Sequence, residues 1–256
     1  MQIALRSSAE NALRQAWQGM LDLVFPPRCA VCRHPGTWLC SRCLAELPRL
    51  PSPVCQVCGR PVLTSQLCAI CRQAPLSIHG IRSVLLFEVG ARQAIHQFKY
   101  RNCRPLATPL ARLMADTWRM HPLPADVIVP VPLHIARERE RGYNQADLLA
   151  RALANMIGLP VLTGVLERAR PTRAQVELSA AERRMNMQGA FACVVPADRT
   201  APLAGGRAGH SSSVHNQRVL LIDDVCTTGA TLEACSLALQ AAGAASVWGF
   251  TLARTT

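Results

Sequence analysis

Eight cysteines between residues 29 and 71 limit what this chain can fold into more than any other feature. They form four CxxC pairs: Cys29/Cys32, Cys40/Cys43, Cys55/Cys58 and Cys68/Cys71. Two thiolates separated by two residues can chelate one tetrahedral metal from a single turn, and a second pair completes the shell. Four pairs therefore supply two sites of four thiolates. The block repeats internally: CAVCRHP…LCSRC is echoed by CQVCGRP…LCAIC about 26 to 28 residues later. So short a segment, with few large apolar residues, cannot fold on a core alone, and bound metal supplies the missing stability. Zinc fits best, as two structural ions. An iron–sulfur cluster or redox thiols are the alternatives. The repeat favours sequential pairing, with Cys29, Cys32, Cys40 and Cys43 on one ion and Cys55, Cys58, Cys68 and Cys71 on the other. A cross-braced arrangement of alternate pairs is also open. Four thiolates close a shell, so no chemistry is expected at the metal, and His34 beside the first knuckle reads as a surface residue.

The remaining sequence has ordinary globular composition. Half of its 256 residues are hydrophobic and 17% are charged, which excludes pervasive disorder and leaves room for one large or two smaller domains. Ala234–Ala253 is free of charge, but Ser236, Gln240, Gly243, Ser246 and Gly249 dilute it, so no membrane span is expected. The first twenty residues are amphipathic, carry Glu10 and lack the apolar core of a secretory signal. The expected location is cytoplasmic.

Pro26-Pro27 ends a helical lead-in over 1–28, the cysteine module fills 29–75, and an α/β domain with strand–helix alternation follows over 81–256. Strands are expected at Ser83–Glu88, Asp126–Val131, Gly164–Glu167, Ala190–Val195, Arg218–Ile222 and Ser246–Leu252. Helical periodicity runs over 91–118, broken near Asn102–Pro105. Asn144 caps a helix through Ile157, with Gly158 just past its end, and Thr231–Ala242 is helical. Residues 196–217 read as a flexible Gly/Ser-rich loop. The alternation predicts a parallel sheet with helices on both faces.

One segment carries chemistry. Residues 219–232 read VLLIDDVCTTGATL: an apolar strand, two carboxylates, a small-residue loop and a helix. Thr227, Thr228, Gly229 and Thr231 stand where backbone N–H groups converge at a helix N-terminus, an arrangement that binds anions. Asp223 and Asp224 can accept hydrogen bonds from vicinal ribose hydroxyls. The combination suits a sugar 5-phosphate, and the absence of GxxxxGK[ST] and GxGxxG excludes P-loop and dinucleotide readings. A strand–turn–helix with two capping aspartates is the bland alternative. Cys226, inside the loop, reads as a packing residue rather than a nucleophile.

This motif resembles the phosphoribosyl pyrophosphate signature of type I phosphoribosyltransferases. With FKYR at 98–101, DVIVPVPLH at 126–134, RERGYNQA at 139–146 and RPTRAQVELSAAERRMNMQGAF at 170–191, the chain resembles the ComF family, associated with competence and the use of external DNA and including GntX-type proteins. The resemblance implies a parallel-sheet type I phosphoribosyltransferase-like domain behind an N-terminal double zinc ribbon. It implies that Asp223 and Asp224 bind the ribose hydroxyls of phosphoribosyl pyrophosphate, and that Thr227, Thr228, Gly229 and Thr231 cradle its 5-phosphate. Pro130, Val131 and Pro132 look like the pyrophosphate loop, although proline there also terminates strands. Arg137, Arg139 and Arg141 are available to neutralise pyrophosphate or to stand as solvated helix charges. His134, beside that loop, is the one histidine of interest. Gln175, Ser179, Arg183 and Asn186 match the family's mobile-loop pattern. Magnesium is implied as a bridge between pyrophosphate and sugar oxygens. The long stretch 196–217 departs from the pattern.

Two functions compete on these grounds. One is a phosphoribosyltransferase with an unassigned acceptor and unassigned catalytic residues. The other is a single-stranded-DNA-binding protein or regulator whose phosphoribosyl site senses a ligand, with competence or DNA-uptake proteins as partners. The second draws on a net charge of +12, carried entirely by residues 1–184 and almost entirely by arginine. An arginine fork grips phosphate through two donors, though an arginine-rich surface is also a compositional habit. Eleven aromatic residues (four Trp, two Tyr, five Phe) offer few stacking platforms, so nucleic-acid binding should be mainly electrostatic.

Overall fold

In a computed structural model, the described residues are 26–64, 66–169, 182, 187, 189–194 and 213–256. The helical lead-in lies outside them except for 26–28. So do Gln175, Ser179, Arg183 and Asn186 of the mobile-loop pattern and residues 196–212 of the long loop. The chain divides into two compact units, Met1–Leu47 and Pro48–Thr256, a boundary that falls between the two cysteine quartets.

In the first unit, a hairpin-like turn closes on a bridge between Arg28 and Pro35, and helix α1 (Ser41–Glu46) follows. Cys40 caps α1, its sulfur accepting from the Cys43 amide.

The second unit begins with the same motif. Val54 bridges to Pro61, and helix α2 (Ala69–Gln73) is capped by Cys68, whose sulfur accepts from the Cys71 amide. The α/β part then runs β1 (Gly80–Leu86), α3 (Val89–Tyr100), a 3-10 turn at Arg104–Leu106, α4 (Ala107–Met120), β2 (Val127–Pro130), α5 (Ile135–Arg141), α6 (Gln145–Ile157), β3 (Leu166–Arg168), β4 (Phe191–Cys193), β5 (Arg218–Cys226), α7 (Ala230–Ala241) and β6 (Ser246–Arg254). Strands β1, β6, β5 and β2 lie side by side in that order, all parallel.

Period-two alternation sorts β5 into two faces. Val219 and Leu221 pack with Val127, Val129, Val247, Ile81 and the α7 residues Leu232, Cys235 and Leu239. Leu220 and Ile222 are fully buried on the opposite side, where α6 packs against β2 and β5 and α4 packs against α6 and β6. The expected parallel α/β sheet with helices on both faces is present.

Some boundaries differ from the sequence reading. β5 does not stop at Ile222. It continues in register with β6 to Cys226, so both aspartates are strand residues held by ladder hydrogen bonds. β1 begins at Gly80, because the preceding ribbon feeds straight into it: the Ile81 amide donates to the Val57 carbonyl at 2.7 Å. The expected strands at Gly164–Glu167 and Ala190–Val195 appear as an antiparallel pair, β3 with β4, outside the parallel sheet. Helix α5, which carries Arg137, Arg139 and Arg141 as the helix-charge reading allowed, was given no bounds from the sequence. It buries none of its residues, so it leaves no apolar period to read. Among the described residues, no helix is long and apolar enough to cross a membrane.

Candidate functional site: two cysteine quartets and an acidic-pair cavity

The sulfurs of Cys29, Cys32, Cys40 and Cys43 lie within 4.8 Å of one another, as do those of Cys55, Cys58, Cys68 and Cys71. This is the sequential grouping. Cys32 and Cys40 sulfurs are 3.7 Å apart, and so are those of Cys58 and Cys68. Tetrahedral Zn–S bonds of about 2.3 Å place sulfurs about 3.8 Å apart, close to the Cys32–Cys40 and Cys58–Cys68 spacings, so both quartets suit zinc. Backbone amides point at the sulfurs: Cys40 to Cys29 at 3.5 Å in the first quartet, Cys68 to Cys55 at 3.4 Å in the second. Such donors stabilise thiolate charge.

The second feature is a cavity of about 620 Å³ in the α/β part. Its floor is the C-terminal end of β5. Because β5 alternates, Asp223 lies on the α7 side of the sheet and Asp224 on the α6 side. Asp224 is 7% exposed and pairs with Lys99 of α3 at 2.7 Å. The Asp224 amide donates to the Asp223 carboxylate at 2.8 Å. Burial, then the Asp224 charge, pushes the Asp223 carboxyl up to about 7, against the pull of Lys99 and Arg168. A carboxyl in that range exchanges its proton near neutral pH.

Beyond the floor the chain turns over Cys226–Gly229 into α7. Gly229 has φ +85, and a Cβ there would meet the tips of Ile81 at 3.0 Å and Leu76 at 3.2 Å. Glycine is thus favoured by conformation, and a side chain would also press on those two tips. Asp223, Asp224, Thr227, Gly229 and Thr231 line the cavity. Thr228 does not; its hydroxyl accepts the Ala230 amide at 3.3 Å. Val131 and Pro132 also line the cavity, whereas Pro130 stays in the sheet paired with Ile222. That turn is held by Asn144, which donates to the Val131 carbonyl at 3.0 Å while its side-chain oxygen accepts from Ala146 to cap α6.

Arg137 and Arg141 reach the cavity and Arg139 does not. Arg141 stacks over Tyr100 at 4.7 Å and donates to Gln145 at 2.9 Å. Arg168 of β3 adds a further cation; burial and then Arg137 lower its pKa. His134 caps α5, accepting the Ala136 amide at 3.2 Å through Nδ1. Cys226 lines the cavity, but burial pushes its thiol up to about 11, which suits packing rather than nucleophilic attack.

Sequence reasoning assigned no role to Lys99, Tyr100 or Arg168, nor a place in the site to Asn144. The available signals were that Lys99 is the sole lysine in a chain whose other cations are arginines, and that Lys99, Tyr100 and Asn144 stand in the FKYR and RERGYNQA segments that carry the family resemblance. No local pattern announces Arg168, because a hairpin outside the parallel sheet delivers it.

Residues 20–72 match the family model described as a double zinc ribbon domain. The chain is 33% identical over 244 residues to the DNA utilization protein YhgH of Salmonella typhi, covering 91% of this chain and 99% of that one. It belongs to the ComF family. Competence protein F of Haemophilus influenzae is 32% identical over 234 residues, 87% of this chain and 95% of that relative. A solved purine phosphoribosyltransferase from Pyrococcus horikoshii aligns with 57% of this ComF-family chain and 80% of its own, at 17% identity and a TM-score of 0.30. A likeness of that size carries no functional argument.

Proposed function

We propose that the cavity binds phosphoribosyl pyrophosphate with magnesium, and that this protein transfers the phosphoribosyl group in competence or the use of external DNA. The observation that carries the reading is the acidic pair opening, within one cavity, onto the backbone turn and first residues of α7. Asp223 and Asp224 accept hydrogen bonds from the two ribose hydroxyls. The turn at Thr227–Gly229 and the Thr231 hydroxyl receive the 5-phosphate. Val131 and Pro132, with Arg137 and Arg141 facing them, take the pyrophosphate. The Asp223 and Asp224 carboxylates are hard oxygen donors of the kind that would suit magnesium, and His134 also lines the cavity, its Nδ1 taken up by the Ala136 amide.

Transfer breaks the bond between the anomeric carbon and pyrophosphate and forms one from that carbon to an acceptor nucleophile, which loses its proton. Cations around the departing pyrophosphate lower the barrier by neutralising its developing charge. The names of the relatives in Salmonella typhi and Haemophilus influenzae, a DNA utilization protein and a competence protein, support the link to DNA.

Single-stranded DNA is the second ligand, favoured by a net charge of +12 carried by residues 1–184. Release of pyrophosphate from phosphoribosyl pyrophosphate, followed across candidate acceptors with and without single-stranded DNA, tests the enzymatic reading. Turnover with one acceptor class supports it. DNA binding without pyrophosphate release from any acceptor would leave a ligand-sensing DNA-binding protein. If DNA binds, its log–log salt slope should be about −2 to −4, the signature of roughly three to five neutralised phosphates.

A further inference from the structure

Arg254, the last residue of β6, has no exposed surface, yet among the described residues no carboxylate pairs with it. All its bonds go to uncharged atoms. Its Nη1 donates to the Cys58 carbonyl and lies 3.5 Å from the Cys226 sulfur. Its Nη2 donates to the Thr227 carbonyl at 3.4 Å and its Nε to the Thr255 carbonyl at 3.3 Å. A buried cation is costly unless a counter-charge stands nearby. Cys58 belongs to the second quartet, and four thiolates around one divalent ion carry a net charge of −2. A loaded quartet would thus place net negative charge on the ribbon whose Cys58 carbonyl Arg254 grips.

The same segment touches the cavity loop at two other places. The first turn of α7 presents Glu233, which accepts the amides of Ser77 at 2.7 Å and Ile78 at 3.0 Å, just past the second ribbon. Leu76 and Ile81 flank Gly229 on the far side of the loop.

We infer that Arg254 is a positioning residue that ties the shape of the Cys226–Thr231 loop to the metal-loaded state of the second quartet. One guanidinium grips the ribbon through Cys58 and the loop through Thr227. When the quartet loses its metal, the cation loses its counter-charge and the ribbon carbonyl that orients it. The Thr227 backbone is then released, and the turn that receives the sugar phosphate loosens. This rests on the donor-site reading for its consequence in binding, but the coupling itself concerns only the protein.

The test is amide hydrogen exchange on the full chain, with zinc content measured on the same samples. The variants are R254M, which keeps length and removes charge and donors, R254K, which keeps charge but has a single donor centre, and C71S, which opens the second quartet. R254M and C71S should exchange the amides of 226–231 about tenfold faster or more, with protection of the central strands retained and R254K in between. R254M should keep the metal that C71S loses. Calorimetry with phosphoribosyl pyrophosphate and magnesium should show weaker binding in the same order. Wild-type exchange rates at 226–231 in a folded R254M, or in C71S depleted of one zinc, would overturn the coupling. A wild-type chain that binds no phosphoribosyl pyrophosphate, while its loop exchange still follows zinc content, would remove the donor-site reading and leave the coupling standing.

Discussion

In the first cysteine quartet the Arg33 amide donates to the Cys29 carbonyl at 3.0 Å. In the second, the Gly59 amide makes the same bond to Cys55 at the same distance. Both residues sit at positive φ, 65° and 70°. At position 33 a side chain is tolerated. At position 59 a Cβ would stand 2.2 Å from the Ile81 carbonyl oxygen. The CxxC spacing is therefore sufficient to build the knuckle, and the differing residue records what packs against it. The second ribbon lies against β1 and the cavity loop within its own compact unit, and its composition shows that constraint.

The comparison breaks most sharply at the ligands. C40S and C71S should each reduce zinc content from two ions to one per chain. C71S should also lower the melting temperature of the Pro48–Thr256 unit, whose second ribbon is held by that metal, while leaving the sheet's transition cooperative. C40S should leave that transition in place. Calorimetric melting with elemental analysis checks both, and equal melts for the two variants would erase the distinction.

Next in size is G59A. Positive φ costs about 1–2 kcal/mol for a residue with a Cβ, and the clash with the Ile81 carbonyl adds to it. Thermal denaturation should show a loss of several degrees. R33G, the mirror change in the other quartet, should be neutral or slightly stabilising. The smaller tie at α7 is probed by E233Q, which weakens two charge-assisted bonds and should cost about 1 kcal/mol.

A separate effect depends on pH. The Asp223 carboxyl is raised in the fold to about 7, so the folded chain holds a proton that the unfolded chain releases near pH 4. Stability from this group is present at acid pH and declines as pH rises toward 7. D223N removes the decline, so the variant should melt higher than the parent at pH 8 and no higher at pH 4.5. A constant difference across that range would place the Asp223 titration elsewhere.

The sequence was informative wherever the responsible interaction is local. The quartets follow from spacing, the α6 cap from Asn144 and Gly158, and the acidic pair from its place behind an apolar run. It was silent where long-range packing decides. The extension of β5 through Cys226 depends on pairing with β6. Lys99 reaches Asp224 from a helix 125 residues away in the chain. Arg254 reads as an ordinary charged residue near a strand end, and only the packed structure shows it buried between a cysteine knuckle and the Cys226–Gly229 turn.

The central claim is that Asp223 and Asp224 form the ribose-binding floor of a sugar-phosphate site. Calorimetry of phosphoribosyl pyrophosphate with magnesium on the parent and on D223N/D224N addresses it directly. Charge-assisted hydrogen bonds are worth about 1.5–3 kcal/mol each, so the double variant should bind about tenfold to over a hundredfold more weakly while keeping two zinc ions and its melting transition. Equal affinity in the folded double variant would contradict the assignment.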